Sequence, residues 1–137
     1  MSEGALVEFI ERGAITVGEV HAGSVLDALN VSQFGQEVVT YVKQRQGVRL
    51  LLDFHRVEYL SSAVLTELLR INQTCKEVGG DLRLCALNDD IRKVFEITNL
   101  DKMFTIYGEH DDAILKYARA LSIEAQEDAW SNVQRDA

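Results

Sequence analysis

Proline is absent from this 137-residue chain. At an average usage of about 5% several would be expected, so proline-rich linkers and polyproline ligands are excluded. Cysteine is scarce: Cys75 and Cys85 are the only two. Two thiols make neither a disulfide framework nor a metal motif by themselves, and they suit a reducing compartment. Cys75 falls on the apolar face of a predicted helix and Cys85 in a predicted strand, so both read as small buried hydrophobes. Basic charge is also short, with 14 Lys and Arg against 22 Asp and Glu, a net charge of −8. A nucleic-acid binder needs a Lys/Arg surface to meet phosphates, and an anionic membrane needs the same. Neither partner is expected. The acidic surface serves solubility, with steering toward a basic partner as the alternative.

Long hydrophobic runs are missing too. No apolar stretch approaches the roughly 20 residues that span a bilayer. The first eleven residues carry Glu3, Glu8 and Glu11 where a signal peptide would carry a basic segment. The expectation is a cytoplasmic protein with no membrane insertion.

Histidine occurs three times, as His21, His55 and His110. These show no mutual ligand spacing, so no metal site is expected. Neither a G-x-G-x-x-G nor a Walker A pattern appears, and no cofactor is indicated. A hydrolase built on Ser62, His55 and Asp53 or Asp27 would need a G-x-S-x-G elbow or another sign of an oxyanion hole. Neither is present, so no catalytic residue is assigned.

What is present is the balance of a globular domain, 47% hydrophobic and 26% charged. The length fits one domain. Residues 6–11 and 14–20 alternate as strands about Arg12-Gly13, a β-hairpin. Ser32 is the expected N-cap of a helix over about 33–46, with Phe34, Val38, Val39 and Val42 on one face; Gly47 ends it. "VRLLLDF", 48–54, is the continuous apolar run of a strand buried on both faces. A helix over about 62–78 follows, with Val64, Leu65, Leu68, Leu69, Ile71, Cys75 and Val78 apolar, and Gly79-Gly80 stops it. Residues 81–87 alternate as a strand. Asn88 or Asp89 caps a helix over 90–97, residues 103–107 form a strand, and a last helix covers 111–121. The polar tail, 122–137, holds Trp130 and extends that helix, docks or frays. The order β-β-α-β-α-β-α-β-α predicts one α/β domain over 1–121: a β-hairpin, then alternating helices and strands, making a mixed sheet with helices packed against it.

Ligands and active groups in open α/β sheets collect at the carboxyl ends of strands. "DFHRVEYLSSAVL" is such an end, followed by a helix start. Either Ser61 or Ser62 suits a helix N-cap. A helix N-terminus also presents free N–H groups and the positive end of the macrodipole. A phosphate on serine adds about −1.5 to −2 charges. A serine here could carry that charge without unfolding the domain, while the charge disrupts a docking surface.

At this segment the sequence resembles the STAS domain family, in its anti-sigma factor antagonist type. "GSVLDALNVSQF" resembles the family's glycine, Leu-Asp and helix start, here Gly23, Leu26-Asp27 and the helix after Ser32. "VRLLLDFHRVEYLSSAVLTELL" resembles its strand, Asp, aromatic, serine motif and helix. The resemblance covers residues 5–121. It implies a non-enzymatic bacterial regulator that switches partners: it binds an anti-sigma factor that is a serine kinase, is turned off by phosphorylation at Ser62, and is restored by a serine phosphatase. Ser62 is the matched serine and Ser61 the second choice. The resemblance further places Asp27, Ser61, Ser62, Val64 and Leu65 at the partner surface. Val64 stands where the family usually has glycine, which implies an altered docking surface. The same family also implies an alternative, an unphosphorylated scaffold subunit of a signalling assembly or an ABC transporter. The oligomeric state is open.

Overall fold

The computed structural model describes residues 5–21, 25–26 and 30–136, with side chains through residue 127 except at 25 and 26. The hairpin forms as the alternation predicts, from β1 (Val7–Arg12) and β2 (Ile15–Val20). Arg12 pairs with Ile15, so the turn is Gly13-Ala14 rather than Arg12-Gly13. Gly13 has a φ of 64° there, a conformation that glycine adopts without a Cβ penalty.

β4 (Arg49–Asp53), β6 (Asp81–Cys85) and β7 (Thr105–Tyr107) continue the sheet. The strand order is β1-β2-β4-β6-β7, with β1 antiparallel and the rest parallel. Parallel neighbours require crossovers, and the helices supply them. The crossovers are α1 (Val31–Lys43), α2 (Ser62–Glu77) and α3 (Asp89–Ile97), and α4 (His110–Asp136) follows the last strand.

The sheet is covered on both faces. Leu50, Leu52 and Leu84 face α1, α2 and α3 through Phe34, Val38, Leu68, Ile71, Ile91 and Phe95. Leu51, Val17, Ile15 and Cys85 face α4 through Ala113 and Tyr117. That is why 48–54 reads as an unbroken apolar run: alternate side chains of β4 enter two different cores. Arg83 reaches the α4 face from β6. It bonds Asp81 at 2.8 Å and the Tyr107 hydroxyl at 2.8 Å, and lies 4.4 Å from the Tyr117 ring centre. The Tyr117 hydroxyl donates to Asp81 at 3.1 Å. Burial raises the Tyr117 hydroxyl pKa, and the Asp81 charge adds to it, so the phenol remains a donor.

Several boundaries differ from the sequence expectation. α1 begins two residues earlier than a Ser32 cap allows, with Asn30 at the N-cap and Val31 already in the core. The Asn30 carbonyl accepts from Phe34 N at 3.0 Å, which leaves Ser32 inside the helix. β6 stops at Cys85, because Ala86 takes a φ of 61°. A 3-10 turn at Leu100–Lys102 delays β7 to Thr105. Two short strands escaped the periodicity altogether. β3 (Val25–Leu26) and β5 (Tyr59–Leu60) pair in parallel as a separate two-stranded sheet. Two residues are too few to show alternation.

Candidate functional site

The site is built on the connection between β4 and α2. The Phe54 N–H donates to the Cys85 carbonyl at 3.1 Å, carrying the sheet one residue past Asp53. Val57 and Leu60 then anchor the connection in the core. The Asn88 side chain does two things at once. Its Oδ1 accepts from Ile91 N at 2.9 Å as the N-cap of α3, and its Nδ2 donates to the Glu58 carbonyl at 2.9 Å. The start of α3 therefore holds the approach to α2. β5 pairs with β3, which fixes Leu60 immediately before the serines.

The two serines have different surroundings. Ser61 occupies the N-cap position of α2 with extended angles, φ −86° and ψ 165°. Its carbonyl accepts from Val64 N at 3.0 Å. Its hydroxyl makes no capping bond; Oγ is buried and, among the described residues, has no hydrogen-bond partner. Ser62 is the first residue of the helix and is exposed. The first turn of α2 has no acidic residue, so none of its own carboxylates occupies the positive end of the helix. The solvent face of α2 continues from Ser62 through Ala63, Thr66, Leu69 and Arg70. Arg70 is paired with Glu67 at 3.1 Å.

The structure corrects the placement of Val64 and Leu65. They are 0% and 7% exposed and lie in the core with Leu68, Ile71 and Cys75. Helical periodicity explains this: 64, 65, 68, 71 and 75 share one stripe, and Ser62, Thr66 and Leu69 lie outside it. Valine at 64 therefore adds volume to the core and not a side chain to the surface. Asp27 lies outside the described residues. Tyr59, 58% exposed beside the serines, and Leu69 are apolar surface residues that the sequence reading did not single out. Leu69 was counted on the inner stripe, and Tyr59 belongs to a strand too short to have a period.

The hydrolase arrangement does not form. His55 pairs with Asp53, Nδ1 to Oδ1 at 3.0 Å, and not with either serine. Asp53 is fully buried, and its Oδ2 meets His110 Nδ1 at 2.6 Å. His21 joins the same corner across β1, with Nε2 3.9 Å from Glu8 Oε2. The three histidines, distant in sequence, thus gather at one end of the sheet. Cys85 is next to Asp53 in register. Burial pushes its thiol up to about 12, with the Asp53 charge adding to the effect, so it is a neutral thiol and a poor nucleophile at neutral pH.

Comparison with known proteins agrees with this architecture. The Bordetella bronchiseptica protein BtrV, named as a candidate anti-sigma factor antagonist, is 31% identical over 97 residues, 71% of this chain and 83% of BtrV. An anti-sigma-factor antagonist (STAS) domain protein from Planctomyces limnophilus superposes with a TM-score of 0.75 at 23% identity, covering 82% of this chain and 97% of that one. The Bacillus cell fate determinant SpoIIAA, in its phosphorylated form, superposes with a TM-score of 0.62 at 19% identity, covering 80% and 97%. At those two identities the likeness is one of fold. The STAS domain pattern itself matches residues 9–113, from the hairpin to the first turn of α4. With the mixed sheet and the helix order both in place, this chain belongs to the STAS domain family.

Proposed function

We propose that this protein is an anti-sigma factor antagonist that works by switching partners in the cytoplasm. It binds an anti-sigma factor with serine kinase activity, is released when that kinase phosphorylates Ser62, and is restored by a serine phosphatase. It performs no catalysis of its own. The observation that carries this reading is the contrast at the start of α2. Ser62 is exposed at the first helical position, while the Ser61 hydroxyl is buried. A kinase can reach the first and not the second. The name given to BtrV and the phosphorylated form of SpoIIAA support the same reading.

The chemistry has a definite sign on each side of the switch. In the free protein, the helix N-terminus stabilises added negative charge by about 0.3–1 kcal/mol, so the fold survives modification. In the complex, the same phosphate is pressed against a partner. A desolvated, unpaired charge there costs about 3–5 kcal/mol, which is a factor of at least 100 in affinity. The docking surface comprises Ser62, the exposed face of α2 and, by sequence match, Asp27.

The test uses the full chain, ATP and an anti-sigma factor of the serine-kinase type. Mass spectrometry is expected to find phosphate on Ser62, and Ser62→Ala is expected to abolish labelling while keeping the complex. Ser62→Asp is expected to fold normally and bind at least about 100-fold more weakly. Labelling that persists in Ser62→Ala, or phosphate on Ser61, would refute the assignment.

A further inference from the structure

The corner that gathers the histidines is not used by the proposed switch, and its row of carboxylates favours a cation. Glu8, Glu19 and Asp53 are direct cross-strand partners on β1, β2 and β4. Partners in register project from the same face of a sheet, so the three carboxylates form one row. Like charges placed opposite one another destabilise a sheet. Among the described residues no Lys or Arg pairs with any of the three; the ion pairs of Glu8 and Asp53 are all with histidines. One further atom lies beside the row: His21 Nε2 is buried and, among the described residues, has no hydrogen-bond partner, since 3.9 Å to Glu8 is too far for one.

We propose that this corner binds one divalent transition-metal ion of the zinc type through Glu19, Asp53 and His55. One ligand atom from each of these residues lies within 4.8 Å of the other two. Modest side-chain movement brings three such atoms onto an ion at about 2.0–2.2 Å. Imidazole combined with carboxylates suits zinc-type ions, whereas calcium and magnesium take oxygen ligands alone. The backbone under the site is rigid, because Glu19 and Asp53 are neighbours in the sheet interior and His55 follows two residues later, its N–H donating to Asp53 Oδ1 at 2.9 Å.

His110 is a positioning residue in this arrangement. Its Nδ1 engages Asp53 Oδ2, which orients the carboxylate and leaves Oδ1 for the ion. When the metal enters, it replaces the contact between His55 Nδ1 and Asp53 Oδ1, and any proton on the ligating nitrogen leaves to solvent. Glu8, Glu19 and His21 form a second, overlapping group with the same 4.8 Å limit, and it competes for Glu19. The first group is assigned because it contains the buried carboxylate.

The test is a zinc titration of the full-length, chelator-stripped chain against a competing chromophoric chelator, with the visible absorption of Co²⁺ as a second readout. The expected result is one ion per chain. Glu19→Gln and His55→Ala, both folded by circular dichroism, are each expected to weaken binding at least about 10-fold, and His110→Ala about 10-fold. The proposal is overturned if no stoichiometric binding occurs, or if binding survives unchanged in both Glu19→Gln and His55→Ala. It is equally overturned if binding is lost in His21→Ala while His55→Ala keeps it, because the ion would then sit in the other group. Glu19→Gln is nearly isosteric and partly exposed, so the comparison holds even if a variant closer to Asp53 loses its fold.

Discussion

Gly79 and Gly80 form one helix stop in the sequence, yet replacing each with alanine is expected to have very different costs. Gly79 has a φ of 72°, and a Cβ added there meets nothing within 4 Å. Its cost is the left-handed backbone alone, about 1 kcal/mol. A Cβ at Gly80 would collide with the Val48 carbonyl oxygen and lie 2.9 Å from Val48 N and 3.1 Å from Val48 C. These are backbone atoms and cannot rotate away. The same carbonyl accepts from Asp81 N at 2.9 Å, and Gly47 N donates to the Val78 carbonyl at 2.7 Å. Relief therefore requires the start of β6 to separate from the start of β4. Overpacking of this kind costs about 1–3 kcal/mol, and a lost hydrogen bond adds about 1. Gly80→Ala is thus expected to cost about 2–4 kcal/mol. For a domain of this length, 1 kcal/mol moves Tm by about 4 °C. Gly79→Ala should lower Tm by about 4 °C and Gly80→Ala by about 8–16 °C, with matching shifts of the urea midpoint and unchanged slopes. If the two variants were equal, or their order reversed, the close approach of β6 to Val48 would be wrong.

Other perturbations separate local rules from the tertiary setting. Ser61→Ala removes an N-cap side chain that ordinarily contributes about 0.5–2 kcal/mol, but its hydroxyl makes no capping bond. Urea unfolding should therefore show a change below about 0.5 kcal/mol, since removing an unpaired buried hydroxyl offsets the loss. Asn88→Ala removes both the α3 cap and the tether to the Glu58 carbonyl, and should cost about 1–2 kcal/mol. Amide exchange before α2 should rise in the same variant. Burial pushes the Cys75 thiol up to about 12 from 9.0, as it does that of Cys85. Neutral thiols stabilise the folded state fully below pH 9, and that contribution is lost as pH rises toward 12, because the unfolded chain ionises first. Denaturation midpoints should fall over that interval, and both thiols should resist a disulfide reagent at neutral pH until the chain unfolds.

The serine motif was legible because its neighbours carry strong signals. A continuous apolar strand precedes it and a helical stripe follows. The distinction between the serines was not legible. It depends on which hydroxyl turns toward the packed connection and which toward solvent, and the two are adjacent in sequence. The assignment of Val64 and Leu65 to a docking surface failed for a related reason. Both stand next to the motif in sequence, but the helical period turns their side chains to the inner stripe. The histidine corner was hidden by chain separation. His21, His55 and His110 lie on three different segments, and only the adjacency of β1, β2 and β4 and the start of α4 brings them together.

By itself the sequence determined the types of the longer elements, the alternation that makes the sheet mostly parallel, and the helix that presents Ser62. These follow from periodicity and capping, which act within a few residues. The tertiary structure decided what depends on residues far apart in the chain. It set the two cores that β4 divides, the Arg83 and Tyr117 contacts that seat α4, the close approach that makes Gly80 costly to replace, and the carboxylate row that gathers three histidines. Such features arise from strand order and register, and no local pattern in the chain carries that information.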